Sequence, residues 1–283
     1  MGKYRLITLD MDGTLLNSRK EISERTKAMI RRAAEEGKII ALSTGRGLSE
    51  LSEYLEQVPE IGYLDCTSGA MIYDCREKKV VVSTPIPVDV MQKVMALAEE
   101  ENVMVHFLST DSVVEQSKYE QMEKYHMGVY KPMYGRVAKK CENIFRAYEE
   151  NPKPIEKCNL YHLSPAKRDQ TERRLEDMHL PLTIVHSELT ALELTSEGVS
   201  KGTGLLQLCE YLGIPVQETI AVGDADNDIE VLKTAGFAIA MGNAAENIKA
   251  IADVVVADCD HDGCAEAIGK YLLGDAPVSV RQG

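Results

Sequence analysis

An α/β fold built on a parallel sheet is predicted by three observations. Apolar, β-prone runs alternate with helical stretches at both ends of the chain. Three of those runs, at residues 4–9, 38–42 and 219–222, stop abruptly in polar or acidic groups. Between them, from about residue 84 to 188, the rhythm changes to short paired strands with long helices, the pattern of an inserted α+β module. The expected division is a discontinuous core, residues 1–83 and 189–283, and an inserted domain, residues 84–188.

The first strand, Tyr4-Arg5-Leu6-Ile7-Thr8-Leu9, delivers Asp10 and Asp12 where it must end, and Gly13 permits the sharp exit. On extended backbone the two carboxylates project to one side, so their charges crowd unless a cation neutralises them. Taken alone, the stretch reads equally well as an ordinary Asp-Gly turn. Ser23 caps a helix through Met29, Ile30, Ala33 and Ala34 that ends at Gly37, and Lys38-Ile39-Ile40-Ala41-Leu42 is a second buried strand. It ends in Ser43-Thr44-Gly45-Arg46. Right-handed crossover makes the two strands parallel, so both polar ends lie on one edge of the sheet. A helix over about 48–57, a strand at 63–65 and a hairpin of 71–73 with 79–82 follow, then a hinge at Pro85 and Pro87.

In the insertion, Val90, Val94, Leu97 and Ala98 mark a helix, followed by strands at 103–108 and 113–116, a polar helical region, a strand at 159–163, a helix over 165–178 and a strand at 182–185. Tyr119, Tyr125, Tyr130, Tyr134 and Tyr161 read mostly as packing residues, with a pocket lining as the alternative. The α/β rhythm returns after Leu192-Glu193-Leu194. Ser200 caps a helix that starts at Lys201-Gly202 and runs to Gly213. The strand at 219–222 then ends in Gly223-Asp224-Ala225-Asp226-Asn227-Asp228. A helix to Ala235, a strand at 237–240, a helix over 244–251, a strand at 254–256 and a helix to Leu273 complete the pattern, and residues 274–283 are expected to fray.

A formal net charge of −13 argues against broad nucleic-acid binding, which wants a positive footprint. No apolar run approaches the length that spans a bilayer, and the N-terminus reads as a strand rather than a secretory signal. Leu6 stands where myristoylation of Gly2 would need Ser or Thr. Seven cysteines, an odd count without repeated close spacing, point to free thiols and a cytoplasmic setting. The cluster Asp258-Cys259-Asp260-His261-Asp262-Gly263-Cys264 reads as a polar loop with Asp262 capping the final helix rather than as a metal site. A monomer or weak homodimer is expected.

Ligands of open α/β sheets bind outside the carboxyl ends of the strands, where Asp10, Asp12, Ser43, Thr44, Asp224 and Asp228 are expected to gather. Four carboxylates there demand a cation, and an oxygen-only set suits Mg²⁺. Lys201 supplies positive charge from a helix start; its bland reading is a solvated surface lysine. Phosphoryl transfer needs this combination of positioning, metal and cation. In that chemistry Asp10 is the candidate nucleophile, Asp12 the acid/base, Thr44 or Ser43 a hydrogen-bond donor to the phosphoryl group, Lys201 its charge balance and Asp224 a metal ligand.

The set DMDGT at 10–14, STGR at 43–46, SKG at 200–202 and GDADND at 223–228 resembles the haloacid dehalogenase superfamily, specifically its Cof-type phosphatases with a large α/β cap. The similarity covers nearly the whole chain. It implies a Rossmann-like parallel-sheet core with an inserted α+β cap, and Mg²⁺ held by Asp10, the main-chain carbonyl of Asp12, and Asp224. It also implies Thr44 as the phosphate-binding hydroxyl, Lys201 as the third-motif lysine and Asp228 as support in the fourth motif. Gly45, Arg46 and Asn227 match positions near the substrate phosphate, and Asn243 is a further match in Met241-Gly242-Asn243-Ala244. One departure is Ser68-Gly69-Ala70, where the family commonly has Asn-Gly; the turn is expected to persist, a direct substrate contact is not. The resemblance implies hydrolysis of small phosphorylated metabolites such as sugar phosphates through an aspartyl-phosphate. A phosphomutase, or a module that accepts phosphate as a switch, are the alternatives.

Overall fold

The computed structural model describes residues 3–275. Strands β1 (Leu6–Leu9), β2 (Ile39–Ser43), β3 (Tyr63–Cys66), β4 (Met71–Asp74) and β5 (Lys79–Ser83) open the chain. Strands β6 (Met104–Leu108), β7 (Ser112–Glu115), β8 (Ala138–Cys141), β9 (Lys157–Tyr161), β10 (Leu182–His186) and β11 (Ala191–Ser196) form a second sheet. Strands β12 (Thr219–Gly223), β13 (Phe237–Ala240) and β14 (Val254–Val255) rejoin the first, which is ordered β14-β13-β12-β1-β2-β3-β4-β5. Pairing is parallel from β14 to β3, and the β4–β5 hairpin adds an antiparallel edge. This is the predicted α/β architecture.

β1 sits inside the sheet between β2 and β12, and Leu6, Ile7 and Leu9 are fully buried because helices cover both faces. Ile7 and Leu9 pack with Ile30 and Ala33 of the helix Glu24–Glu35, whereas Leu6 meets Leu205 and Leu208 of the helix Lys201–Leu212. Burying each such side chain is worth about 1.5–3 kcal/mol. Ser23 caps the first helix by accepting from the Thr26 amide, as expected.

The second sheet, ordered β10-β11-β9-β6-β7-β8, is antiparallel except for β7 with β8. One face carries Val105, Phe107, Cys158, Leu160, Leu192 and Leu194 against the helix Val88–Glu100 and its neighbours. Alternation sends His106, Lys157, Asn159, Tyr161 and Glu193 to the opposite face.

Several elements differ from the sequence reading. Strand β11 belongs to the second sheet although residues 189–283 read as core: Leu192 and Leu194 complete the second apolar cluster, so the chain leaves that sheet only after Ser196. β8 interrupts the polar helical region, pairing with β7 through a sequence with little apolar signal, Ala138-Lys139-Lys140-Cys141. The helix expected over 48–57 is a 3₁₀ turn, Leu48–Glu50, and a short helix, Ser52–Leu55, because Glu50 turns back to accept from the Gly47 amide. Asp262 has a left-handed backbone and makes no side-chain cap; it accepts from the Ser23 hydroxyl instead. Gly274 and Asp275 are held, Asp275 by a bidentate pair with Arg32, while the remainder of the tail expected to fray, 276–283, and the Gly2 position lie outside the described residues. All seven cysteines are free thiols. Among the described residues no helix is long and apolar enough to cross a membrane.

Candidate active site

Three parallel strands of the first sheet deliver their ends to one crevice. Asp10 follows β1, Thr44-Gly45-Arg46 follow β2, and Asp224 through Asp228 follow β12. Gly13 holds φ at +87°, and a Cβ there would lie 2.4 Å from Oδ2 of Asp224. A side chain would therefore push apart the two acidic loops as well as strain the turn.

Lys201 is 2% exposed, which rejects the surface-lysine reading. Its Nζ donates to Oδ1 of Asp10 at 2.6 Å and to Oδ1 of Asp228 at 2.7 Å. The other Asp228 oxygen accepts from the amides of Asp224 and Ala225, at 3.0 and 3.1 Å, so this carboxylate is committed to aiming the lysine and the acidic loop. Burial disfavours the Lys201 charge, yet Asp10 and Asp228 outweigh it and keep the ammonium protonated. Burial pushes Asp10 up to about 8 and Asp228 adds to this, with Lys201 opposing. Full ionisation of Asp10 thus calls for positive charge in the crevice beyond that one lysine.

Asp10, Asp224 and Asp228 offer carboxylate oxygens within 4.8 Å of one another, a hard-oxygen donor set that fits Mg²⁺. Asp224 accepts from the Thr14 hydroxyl at 2.7 Å, and Nδ2 of Asn243 donates to the Gly13 carbonyl at 2.8 Å and to Asp224 at 3.3 Å. Asn243 therefore orients a would-be ligand. The Asp12 carboxylate is engaged elsewhere: Arg46 donates to both of its oxygens at 2.9 Å and Lys20 to one at 2.8 Å. What Asp12 has left to offer a metal is its main-chain oxygen. Burial opposes ionisation of Asp12, but Arg46 and Lys20 prevail and hold it below the usual carboxylate range.

Thr44 is buried beside Asp10, its hydroxyl accepting from the Arg46 amide at 3.2 Å. Ser43, the alternative donor, turns away and gives its proton to Asp65 at 2.6 Å. Asp10, Asp12, Thr44, Gly45, Arg46 and Asn227 all line one cleft of about 260 Å³. Its other wall is the polar face of the second sheet and the segment after β7, with Tyr130, Tyr134, Asn159, Tyr161 and Glu193. All five tyrosines read as packing residues pack in one apolar cluster, and Tyr130, Tyr134 and Tyr161 line the pocket as well.

Lys157, Asn159 and Glu193 escape a motif-based reading. Lys157 is 1% exposed, and its Nζ reaches the Gly45 carbonyl at 2.9 Å, Ser68 Oγ at 3.0 Å and Glu193 Oε2 at 2.5 Å. Ser68, where the sequence departs from its resemblance, is left-handed (φ 61°) and meets this lysine of the second sheet. The available signal is alternation: Lys157-Cys158-Asn159-Leu160-Tyr161 and Leu192-Glu193-Leu194 put polar residues at every second position of strands buried on both faces. The loop at 258–264 is not among the described acidic, Cys and His groups close enough to share a metal.

Comparison with known proteins agrees with this geometry. The sequence model of the haloacid dehalogenase-like hydrolases matches residues 7–268. A Bacillus subtilis phosphatase, YwpJ, is 30% identical over 95% of this chain and 100% of its own length. The B. subtilis 5-amino-6-(5-phospho-D-ribitylamino)uracil phosphatase YitU is 28% identical, over 95% of this chain and 98% of its own. A haloacid dehalogenase-like hydrolase from Bacteroides thetaiotaomicron superimposes with a TM-score of 0.81 at 29% identity, covering 94% of this chain and 98% of the other. On a family match that spans both sheets and every strand end that builds the crevice, the chain belongs to the haloacid dehalogenase-like hydrolases.

Proposed function

We propose that the protein is a Mg²⁺-dependent phosphatase that hydrolyses phosphate monoesters of small metabolites such as sugar phosphates by way of an aspartyl-phosphate on Asp10. The observation that carries this reading is the buried, cleft-lining Asp10 carboxylate, 2.6 Å from Lys201 and grouped with Asp224. Relatives named as phosphatases of 5-amino-6-(5-phospho-D-ribitylamino)uracil and of pyridoxal phosphate support it.

A carboxylate oxygen of Asp10 bonds to phosphorus as the ester P–O bond breaks, and Asp12 gives a proton to the departing alkoxide. Water then attacks the phosphoryl group while Asp12 takes its proton, releasing inorganic phosphate and restoring Asp10. Arg46 and Lys20 hold Asp12 ionised in the present arrangement, which is the form for the second half. In the first half Asp12 acts in its protonated form. Thr44 and Gly45 position the phosphoryl oxygens, Lys201 balances charge, Asn227 meets the substrate at the cleft wall, and Asp228 keeps Lys201 in place. Asp10, Asp224 and the main-chain oxygen of Asp12 would hold Mg²⁺, which would neutralise charge on the phosphoryl oxygens.

Hydrolysis of 4-nitrophenyl phosphate with Mg²⁺ tests the reading. Asp10→Asn is expected to abolish turnover, by a factor above ~1000. Full activity in that variant removes Asp10 as the nucleophile. Isomerised product with little free phosphate identifies a mutase, and a phosphorylated form stable for hours identifies a switch.

A further inference from the structure

The wall of the cleft opposite Asp10 carries a cross-strand row. In register, His106 of β6 stands opposite Asn159 of β9, and Asn159 opposite Glu193 of β11. All three line the cleft. His106 is 1% exposed, and burial together with the Lys157 charge pushes its pKa down to about 3, so the ring is neutral. Its Nε2 lies 2.6 Å from Ser112 Oγ and 4.0 Å from a Glu50 oxygen, surroundings that favour the proton on that nitrogen.

Nδ1 is then an acceptor. Tyr134 donates to it at 2.8 Å, Tyr161 to Tyr134 at 2.9 Å, and Nδ2 of Asn159 to Tyr161 at 3.0 Å. This chain of donors fixes the Asn159 amide with its nitrogen used and its oxygen free. Oδ1 of Asn159 is buried without a hydrogen-bond partner, at the wall of the cleft. A buried acceptor in a polar wall is built for a donor that arrives with a ligand. Beside it, Glu193 offers a carboxylate that Lys157 anchors through one oxygen.

Carboxyl groups face the leaving-group end. Glu50, Glu188 and Glu193 line it, while the nearby cations are taken: Arg46 by both oxygens of Asp12, and Lys157 by Gly45, Ser68 and Glu193. A second anionic group would meet carboxyl groups, and among the described residues that line this cleft or touch its wall the cations already have partners.

We propose that Asn159 and Glu193 form the subsite for the group esterified to phosphate, and that this group carries hydroxyl or amine donors and no second negative charge. The proposal rests on the phosphatase reading above. It excludes bisphosphates, nucleotides with further phosphates and phosphorylated carboxylic acids as preferred substrates.

The test uses glucitol 6-phosphate and 6-phosphogluconate, which differ in a hydroxymethyl group replaced by a carboxylate. Each is measured as a substrate and as a competitor of 4-nitrophenyl phosphate hydrolysis by the full-length Mg²⁺-loaded protein. The polyol ester is expected to bind at least about tenfold better than the acid. The ratio of kcat/KM for polyol over aryl ester is expected to fall at least about tenfold in Asn159→Leu and in Glu193→Gln, and to recover in Asn159→Asp, which keeps an acceptor. Melting curves identify a variant that fails to fold, and the other variant then decides. Equal or absent competition by the two esters, or an unmoved ratio, overturns the proposal while aryl phosphate hydrolysis stands. Loss of aryl phosphate hydrolysis in the parent protein overturns the phosphatase reading itself, and this proposal with it.

Discussion

Replacing Asp65 by Asn isolates one buried titration beneath the crevice. Asp65, the third residue of β3, is fully buried; one oxygen accepts from Ser43 at 2.6 Å and the other has no hydrogen-bond partner. It is wedged against the helix that carries Lys201, where a Cβ on Gly204 would lie 2.2 Å from it. Burial raises its pKa from 3.8 to about 7, against the opposing pull of Ser43 and Lys201. The folded protein thus holds this proton more tightly than the unfolded chain does. The resulting stabilisation is whole below pH 3.8 and is lost as pH rises through about 7. At about 1.4 kcal/mol per tenfold change in proton affinity, the full swing is roughly 4 kcal/mol. Asn is neutral throughout, so Asp65→Asn removes the swing. In urea unfolding series from about pH 4 to about pH 9, the variant is expected to gain on the parent by roughly 2–4 kcal/mol as pH rises. Any fixed cost of the substitution displaces the two curves without altering that trend. A difference constant to within about 0.5 kcal/mol across the range would refute the assignment of this proton.

Gly69→Ala is expected to cost more than about 3 kcal/mol and most of the activity, because the position has φ +99° and the new Cβ would lie 2.0 Å from the carbonyl of Ser200, the residue capping the Lys201 helix. Urea unfolding and aryl phosphate kinetics check both. Lys157→Met leaves Glu193 without its partner and Gly45 without its anchor; the expectation is a loss of roughly 2–4 kcal/mol with a raised KM, and recovery of most of the stability on adding Glu193→Leu. Thermal melts of the single and double variants decide it. Removal of divalent metal by a chelator is expected to suppress hydrolysis by more than about 100-fold, with recovery on adding Mg²⁺. Unchanged turnover after chelation would dismiss the metal from the proposed reaction.

The first sheet was legible because its central strands are apolar runs, three of which stop in polar or acidic groups at one edge. Asp10, Thr44, Lys201 and Asp224 meet in space as that logic requires. Burial of Lys201 was not legible, since a lysine after a Ser cap looks the same whether its helix points at solvent or at two aspartates. The second sheet was read in outline and misread at its edges. Lys139 and Lys140 in β8 hide an edge strand that pairs with β7, and β11 lies beside the returning core in sequence while its leucines belong elsewhere. The polar residues of β9 and β11 were missed for a related reason: the periodicity flags them as outward-facing, whereas the far side of that face is the cleft rather than water.

The ion pair between Asp10 and Lys201 joins residues 191 positions apart in sequence. Until the C-terminal third has been added beside β1, the aspartate at its tip has no counter-charge and its strand lacks the β12 neighbour. The crevice is therefore closed only when segments far apart in sequence are joined. Loop-closure entropy grows only logarithmically with the intervening length, about 0.6 kcal/mol per doubling. An insertion between these segments can thus lengthen, shrink or be rebuilt at little thermodynamic cost to the hearth of the reaction, so long as its own apolar face closes. That leaves the wall formed by the second sheet free to diverge while the strand ends of the first sheet stay fixed.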